Sequence, residues 1–352
     1  MDANRSSFNT LILSIFRVSI SRDLRENIIF GGRSVFNGLL ALYFGSVNPG
    51  LNLEQLRPPH CPHIKSATVL LYRNNFTGPL NDNFIRTLQS LTDFVFVSVH
   101  HDNNNISNAE CKNINTLVAS RTGNAITDGI NPESFGYPGK AKLQTTTVFS
   151  GDWVCPFNTE DTRIKLFQTA GGMRGIETMM YAMPVVVGRY SYGGGTFYRL
   201  PYKNGVSMIV YMRSTPAVYG QIYDDIAWLS VQNRFEKMLP KIEEHQYGGV
   251  EMPKFSYMTS MDISAGVQKT HYLKDFNMFK MFANASLAPT QFSHEIHSKI
   301  ENNEKGTSTE SVFETFAYDG KTGEILKLNK PFCYFLIQAS GHIINLGIFA
   351  GV

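Results

Sequence analysis

The sequence predicts an α+β fold in which helices dominate the first third of the chain and strands dominate the remainder. The 352 residues are 43% hydrophobic and 17% charged, which is typical of a globular protein with a large core rather than of a disordered chain. Helical and alternating patterns do not follow each other in regular βαβ order. That irregularity favours an α+β arrangement over a doubly wound parallel sheet.

The first third of the chain carries the helical patterns. Residues 8–24 are amphipathic and contain Arg17 and Arg22, so they favour a helix over a secretory leader or a membrane span. Residues 33–45 are almost entirely apolar, which predicts a buried helix. The sequence then predicts a strand over 66–74, a helix over 80–91, a strand over 93–101 and a helix over 107–122.

The remainder of the chain carries mostly strand patterns. A long β-rich run covers residues 141–153, and one further helix is predicted over 224–246. Shorter alternating runs predict the other strands, at 163–169, 175–183, 185–193, 196–202, 206–212, 250–258 and 343–351.

Composition and motifs argue against several classes of function. The net charge of +3 and the absence of a long Lys/Arg run argue against nucleic-acid binding. His60, Cys61 and His63 fall short of the four ligands that zinc needs, so a polar loop is the better interpretation. The glycine-rich runs at 170–175 and 192–197 are typical of hairpin turns rather than phosphate loops. We therefore expect no metal, no cofactor and no enzyme, although a Ser-His-Asp triad stays open because geometry defines it.

Residues 304–322 alternate like a strand but end in loop-forming residues. Thr307, Thr309 and Ser311 form one small, uncharged set, whereas Glu310 and Glu314 fall in the opposite phase. The run then ends in Asp-Gly-Lys-Thr-Gly, which is typical of a loop. These residues alone leave a strand, a loop and a loop that can become a strand as alternatives.

Six segments, taken together, resemble the serpins, the serine protease inhibitor superfamily. In chain order they are residues 27–45, 149–167 ("FSGDWVCPFNTEDTRIKLF"), 198–212 ("YRLPYKNGVSMIVYM"), 250–256, 301–307 ("ENNEKGT") and 328–352. The resemblance implies a single domain over 1–352 with three β-sheets, one of them large and central, and about eight helices. It also implies an exposed reactive-centre loop over about 304–327. Too few residues lie between 46 and 65 for two helices, so one helix of the family is expected to be lost there.

The resemblance assigns roles within the loop. Glu304, Lys305, Gly306, Thr307, Thr309 and Ser311 would form the hinge that enters the central sheet first. Family spacing places the reactive bond at Gly320–Lys321, which suits an elastase-like protease. A shift in register would offer Lys321 to a trypsin-like enzyme or Tyr318 to a chymotrypsin-like one.

The resemblance also points to a region where the sheet opens. Trp153 would lie at the top of the central sheet, and Ser34 would belong to the polar cluster beneath it. The usual buried Asn of that cluster falls on Thr145, and the usual His falls on Ile296, one position from His297. These departures predict altered opening chemistry.

The resemblance implies a suicide-substrate inhibitor of a serine protease, trapped by insertion of the cleaved loop. A non-inhibitory serpin acting as a binding, carrier or protease-substrate module is the alternative, favoured by the polar residues 308–312. We expect a monomer with no membrane segment and no heparin site. The absence of a leader pattern suggests a cytoplasmic protein or one secreted without a classical leader.

Overall fold

The fold is taken from a computed structural model of the chain. It describes residues 3–21, 26–46, 52–73, 77–91, 94–98, 106–130, 141–215, 220–269, 278–287, 293–307 and 323–352.

Helices cluster in the first third of the described chain, as the sequence predicts. The α-helices are α1 (Ala3–Ser19), α2 (Gly32–Gly45), α3 (Asp82–Leu91), α4 (Asn108–Thr122), α5 (Gln221–Leu229), α6 (Arg234–Met238) and α7 (Ser264–Lys269). Three short 3₁₀ helices cover Leu53–Leu56, Leu239–Lys241 and Ala285–Leu287. The first of these is the one helical element described between residues 52 and 63, where the family helix was expected to be lost.

The strands fill most of the chain after residue 140. They are β1 (Ile28–Phe30), β2 (Ile64–Tyr72), β3 (Phe94–Ser98), β4 (Ala141–Phe149), β5 (Gly151–Asp152), β6 (Asn158–Thr169), β7 (Gly172–Tyr181), β8 (Val185–Tyr192), β9 (Gly195–Pro201), β10 (Ser207–Arg213), β11 (Glu243–Tyr247), β12 (Gly249–Pro253), β13 (Phe255–Asp262), β14 (Ser293–Asn302), β15 (Gly306–Thr307), β16 (Ile325–Lys327), β17 (Phe332–Ile337) and β18 (Ile343–Phe349).

The strands form three sheets, which confirms the predicted α+β architecture. An antiparallel sheet has the order β1-β18-β17-β10-β9-β8-β11, and a smaller sheet has the order β16-β12-β7-β6. The third, here called the central sheet, has the order β3-β2-β4-β14-β15-β5, with β13 paired to the other edge of β14. Its strands β4 and β14 run parallel, with Ser293–Ser298 opposite Lys142–Thr147.

Helix α2 lies inside the molecule because nearly all its residues are apolar. It contacts β4 of the central sheet and β18 of the antiparallel sheet, and Phe36, Leu39 and Leu40 are almost fully buried. Helix α4 packs on the opposite face of the central sheet, against β2 and β4, through Ile114 and Val118. The seam between β4 and β14 therefore has one face toward α2 and the other toward the α4 side.

Two sequence predictions in the second half of the chain are wrong. The helix predicted over 224–246 ends at Leu229, because Gln232 and Asn233 adopt positive φ values of 54° and 55°, which helices do not accommodate. After α6 and a 3₁₀ turn, the chain continues as β11, which pairs with β8. The strand predicted over 250–258 is two strands, β12 and β13, which belong to different sheets and meet at Lys254.

No helix in the described part of the chain is long and apolar enough to span a bilayer. Among the same residues, no group of three or more His, Cys, Asp and Glu side chains is placed to hold a metal ion.

Candidate functional site at the top of the central sheet

Gly306 and Thr307, two of the predicted hinge residues, form β15, which lies between β14 and β5 at the end of the central sheet. Thr307 pairs antiparallel with Asn302 of β14, and the pair Gly306–Thr307 also pairs antiparallel with Asp152 and Gly151 of β5. A tight turn precedes β15, since the Asn303 amide donates to the Gly306 carbonyl at 2.9 Å. Both residues are therefore buried and paired on two sides, and residues 308–322 of the predicted loop lie outside the described residues.

The glycine at 306 is required by the closeness of the neighbouring backbone. A Cβ atom at this position would lie 2.1 Å from the Gly151 carbonyl oxygen and 2.7 Å from the Asp152 Cα. Backbone atoms cannot yield as a flexible side chain can. The close approach of the β5 backbone therefore explains why position 306 is a glycine.

Trp153 anchors the turn that leads into β15. Its backbone amide donates to the Lys305 carbonyl at 2.9 Å, and its indole Nε1 donates to the Asn303 carbonyl at 3.2 Å. The Tyr202 ring stacks on the indole at a centroid distance of 4.2 Å. The Tyr202 hydroxyl lies 2.9 Å from the Thr307 hydroxyl, so the motif residue Tyr202 joins Trp153 to the hinge.

Glu304 is buried and carries an ion pair. Its Oε1 accepts from the Thr162 hydroxyl at 2.7 Å and from the Lys254 ammonium at 3.1 Å. Burial by itself raises the pKa of Glu304, but the hydrogen bonds from Thr162, from its own backbone and from Lys254 outweigh burial and hold that pKa below its usual value. Lys305, by contrast, points into solvent.

The other hinge and reactive-bond predictions lie outside the described residues. They are Thr309, Ser311, Tyr318, Gly320 and Lys321. The described chain resumes at Gly323 and enters β16, which pairs parallel with β12. Both ends of the predicted 304–327 loop are therefore fixed in strands of different sheets.

Below the hinge, two polar pairs face α2 across the β4–β14 region. The Ser34 hydroxyl is hydrogen-bonded to the Thr147 hydroxyl of β4, and Thr145 Oγ1 lies 3.4 Å from His294 Nε2 of β14. His294 is fully buried, and burial lowers its pKa to about 4. Its ring occupies the space beside Gly38, where a Cβ would come within 2.2 Å of the ring.

His294 was missed by the sequence reasoning, because counting back from the hinge placed the family histidine at Ile296. His294 is two residues earlier, which is one strand period, so its side chain points to the same face. The segment "SHEIHSKIEN", which forms β14, carries polar residues in both phases of the alternation. Its pattern therefore does not predict a strand, and the position of His294 on the α2 face could not be derived from it.

His297, in contrast, faces the other side of the sheet and does not join the Ser34 and Thr145 cluster. Its Nδ1 is 2.8 Å from the Ser260 hydroxyl on β13, and its Nε2 is 3.4 Å from Glu295. Glu295 also pairs with Lys142 of β4 at 2.5 Å. The hydrogen bond with His297, followed by the contacts with Lys142, lowers the pKa of Glu295 to about 2 despite its partial burial.

The Lys142–Glu295 pair therefore links β4 directly to β14 on the α4 side, while the Thr145–His294 contact links them on the α2 side. The two strands are joined by side chains on both faces, in addition to their backbone ladder.

Comparison with known proteins gives a consistent family assignment. The family model described as Serpin (serine protease inhibitor) matches residues 52–351. Over 289 residues the chain is 24% identical to "Antitrypsin" of Bombyx mori, covering 77% of this chain and 70% of that protein.

Two solved structures share the fold at low identity. The native state of the thermophilic serpin Tengpin superposes with a TM-score of 0.81 at 16% identity, covering 99% of this chain and 93% of the other. Thyroxine-binding globulin in complex with thyroxine gives a TM-score of 0.77 at 14% identity, covering 100% and 99%. Because a family model covers most of the sequence and the three-sheet fold agrees with it, the chain belongs to the serpin family.

Proposed function

We propose that the protein is a suicide-substrate inhibitor of a serine protease. The observation that carries this proposal is the position of β15: the chain has already begun to enter the central sheet between β5 and β14. Thr307 faces inward, since it is 3% exposed and its hydroxyl contacts Tyr202. Period-two alternation then directs Thr309 and Ser311 inward, and Glu310 outward, if the chain continues in the same direction.

The direction of β15 favours further insertion. It runs antiparallel to both neighbours, whereas β4 and β14 beyond it pair in parallel. A segment continuing from Thr307 would replace one parallel ladder by two antiparallel ladders, which are somewhat more stable per residue. Ser34, Thr145, His294 and the Lys142–Glu295 pair would govern how readily β4 and β14 separate.

The trapping step uses the target's own chemistry. The protease serine attacks the Gly320 carbonyl, the amine of Lys321 leaves, and an ester joins the protease to the inhibitor. Insertion of about 14 residues at roughly 3.3 Å each carries the protease about 45 Å. Each new ladder hydrogen bond contributes about 1 kcal/mol, which can distort the protease oxyanion hole and stall hydrolysis of the ester.

A matched pair of loop variants tests this mechanism. Thr309→Arg would place a charge in the interior on insertion, at a cost of several kcal/mol, whereas Glu310→Arg would leave the charge on the outer phase. With a panel of serine proteases, wild type and Glu310→Arg should form SDS-stable adducts, while Thr309→Arg should be cleaved without an adduct. Adducts of equal yield from all three proteins would contradict the proposed insertion.

The same reaction identifies the reactive bond. Mass spectrometry of the released peptide should show a new N-terminus at Lys321 after an elastase-like cut. A peptide starting at Thr322 would indicate a trypsin-like target, and one starting at Asp319 a chymotrypsin-like target.

The alternative is a non-inhibitory binding or carrier protein. The run Ser308-Thr309-Glu310-Ser311-Val312 favours it, since it is more polar and more β-branched than the small residues that a fast-inserting hinge prefers. The fold match to thyroxine-binding globulin in its thyroxine complex is compatible with this alternative. Clean cleavage by every protease tested, with no adduct, would favour it over inhibition.

A further inference from the structure

An apolar cavity of about 310 Å³ lies beside the top of the central sheet, between the segment 153–157, the β7–β8 connection, the end of β9 and β12. Valine, proline, leucine and aromatic side chains form most of its wall, and none of its described lining residues is a Lys, Arg, His, Asp or Glu. Trp153 belongs both to this wall and to the hinge region, but β14 and β15 do not contribute to the described lining. The cavity is therefore distinct from the site where the loop enters the sheet.

Two exposed valines mark the mouth of the cavity. Val154 is 47% exposed and Val186 is 51% exposed, whereas Val187 and Val250, which line the same cavity, are almost fully buried. Apolar surface thus continues from solvent into the interior along the wall. Because contact between water and apolar surface is unfavourable, an apolar occupant that displaces water from this wall would bind with a net gain.

Polar groups are few in this wall. Pro184 and Pro201 have no backbone N–H to offer a ligand. The polar side-chain atoms of the lining are the Tyr181 hydroxyl, the Cys155 thiol and the indole N–H, which already donates to the hinge turn. Burial, followed by the neighbouring Cys155 thiol, raises the pKa of Tyr181 to about 12, so its hydroxyl stays protonated and can donate at neutral pH.

We propose that this cavity binds a small, neutral and largely apolar molecule, with Tyr181 as the donor to a single polar group on it. An ionised ligand is disfavoured, because no described lining residue supplies an opposite charge and a buried unpaired charge is costly. The volume is at the lower end of the range of about 300–1,000 Å³ that is typical of small-molecule sites, which limits the occupant to a fused ring pair or a short alkyl chain.

Binding in the cavity would also act on the hinge. The Trp153 amide and indole N–H donate to the carbonyls of Lys305 and Asn303 at 2.9 and 3.2 Å, and the Phe157 amide donates to the Glu304 carbonyl at 2.7 Å. Three consecutive carbonyls before β15 are thus held by two residues that line the cavity. A ligand packed against Trp153 and Phe157 would stabilise this arrangement by mass action.

Two probes that share one ring system test the proposed chemistry at pH 7. 1-Naphthol is neutral at this pH, whereas 1-naphthoate is an anion. Calorimetry should show that wild type binds 1-naphthol with a dissociation constant below about 1 mM and binds 1-naphthoate at least about tenfold more weakly. Tyr181→Phe, which removes one donor, should weaken binding of 1-naphthol by about threefold or more.

A second readout locates the bound probe. Of the four cysteines, all of which lie in the described chain, Cys155 is the one that is partly exposed. Iodoacetamide should therefore alkylate Cys155 first in the folded protein. With 1-naphthol at about five times its dissociation constant, this alkylation should slow about fivefold, because the free fraction of the protein falls by that factor. Hydrogen exchange of the two backbone amides that donate to the hinge turn should slow as well.

A matched pair of charge variants separates this site from non-specific binding. Val154→Asp places a charge at the mouth and should weaken binding of 1-naphthol at least about fivefold. Val231→Asp, at a 41% exposed position after α5 and outside the lining, should bind as wild type does. Should Val154→Asp fail to fold, Val186→Asp carries the comparison.

Absence of binding by wild type, or equal binding of 1-naphthol and 1-naphthoate, would overturn the proposal. Unchanged alkylation of Cys155 in the saturated protein would place the probe elsewhere and overturn it too, as would equal binding by Val154→Asp and Val231→Asp. Equal binding by Tyr181→Phe and wild type would overturn the assignment of Tyr181 as the donor. None of these measurements involves a protease, so their outcome is independent of the proposed inhibition.

Discussion

His294 lies fully buried on β14 beside Gly38, with Thr145 as its side-chain neighbour. Asp262 is the charged group that acts on it from β13, and the Ser264 hydroxyl accepts from its backbone amide at 2.9 Å. The Asp262 carboxylate favours the charged ring, but burial dominates, so the folded protein holds His294 neutral. The free energy of unfolding should therefore depend on pH through this one residue.

Stability should decrease as pH falls from about 6.5 to about 4. In this window the unfolded chain binds a proton at His294, with its usual pKa of 6.5, while the folded chain, with a pKa of about 4, does not. The difference is on the order of 3 kcal/mol. Urea unfolding at pH 7 and pH 4.5 should show a smaller loss for His294→Gln than for wild type. His245→Gln, an exposed position on β11, is the control, and equal losses in all three proteins would contradict the assignment.

At the scale of elements, the β4–β14 seam is the part of the molecule that must open for insertion. Six register pairs join the strands, and Lys142–Glu295 adds a cross-strand ion pair with both side chains mostly shielded, at 12% and 25% exposure. The hydrogen bond with His297, followed by the contacts with Lys142, lowers the pKa of Glu295 from 4.5 to about 2. The stability that the ionised Glu295 carboxylate contributes is therefore complete above about pH 4.5 and is lost as pH falls toward 2.

Removal of this pair should make the seam easier to open at neutral pH. A double-mutant cycle with Lys142→Met and Glu295→Gln should give a coupling energy of about 1–2 kcal/mol. Hydrogen exchange of the β4 and β14 amides should accelerate in the single variants. The pair Lys165–Glu251, which joins β6 to β12 in the small sheet, is the matched control. Removal of the Lys165–Glu251 pair should leave hydrogen exchange of the β4 and β14 amides unchanged. If both cycles accelerated this exchange equally, the Lys142–Glu295 pair would have no specific effect on the seam.

The element scale also shows why sequence reasoning succeeded in some places and failed in others. Strands β9, β10 and β18 were predicted because alternation and buried apolar runs survive in a short window. β14 was not, because its ten residues pair on both sides within one sheet and carry Glu295, His297 and Lys299 on the face away from α2. The hinge motif was recognised, but the ion pair across the seam joins residues about 150 positions apart, a separation that no local pattern encodes.

At the scale of the whole molecule, the native state is proposed to lie above its lowest free energy, with β15 as the first inserted pair. Cleavage near residue 320 should then raise the unfolding midpoint by at least about 10 °C. An unfolding entropy of about 2.1 cal/mol/K per residue over 352 residues means that each kcal/mol of added stability shifts Tm by about 1–2 °C, and about 14 new ladder hydrogen bonds contribute about 1 kcal/mol each. Differential scanning calorimetry before and after cleavage measures this. Cleaved Thr309→Arg should gain far less than cleaved Glu310→Arg, and equal midpoints before and after cleavage of wild type would contradict the metastable state.

The antiparallel sheet places β17 and β18 between β10 and β1, so residues 332–349 join the edge strand of residues 28–30 to the strands that begin with residues 207–213. During synthesis on the ribosome, the hydrophobic edges of β10 and β1 therefore lack these partners until residues 332–349 have emerged. Nascent chains should need chaperone protection throughout that delay, and a frameshift shortly before the codon of residue 332 would leave both edges open to aggregation.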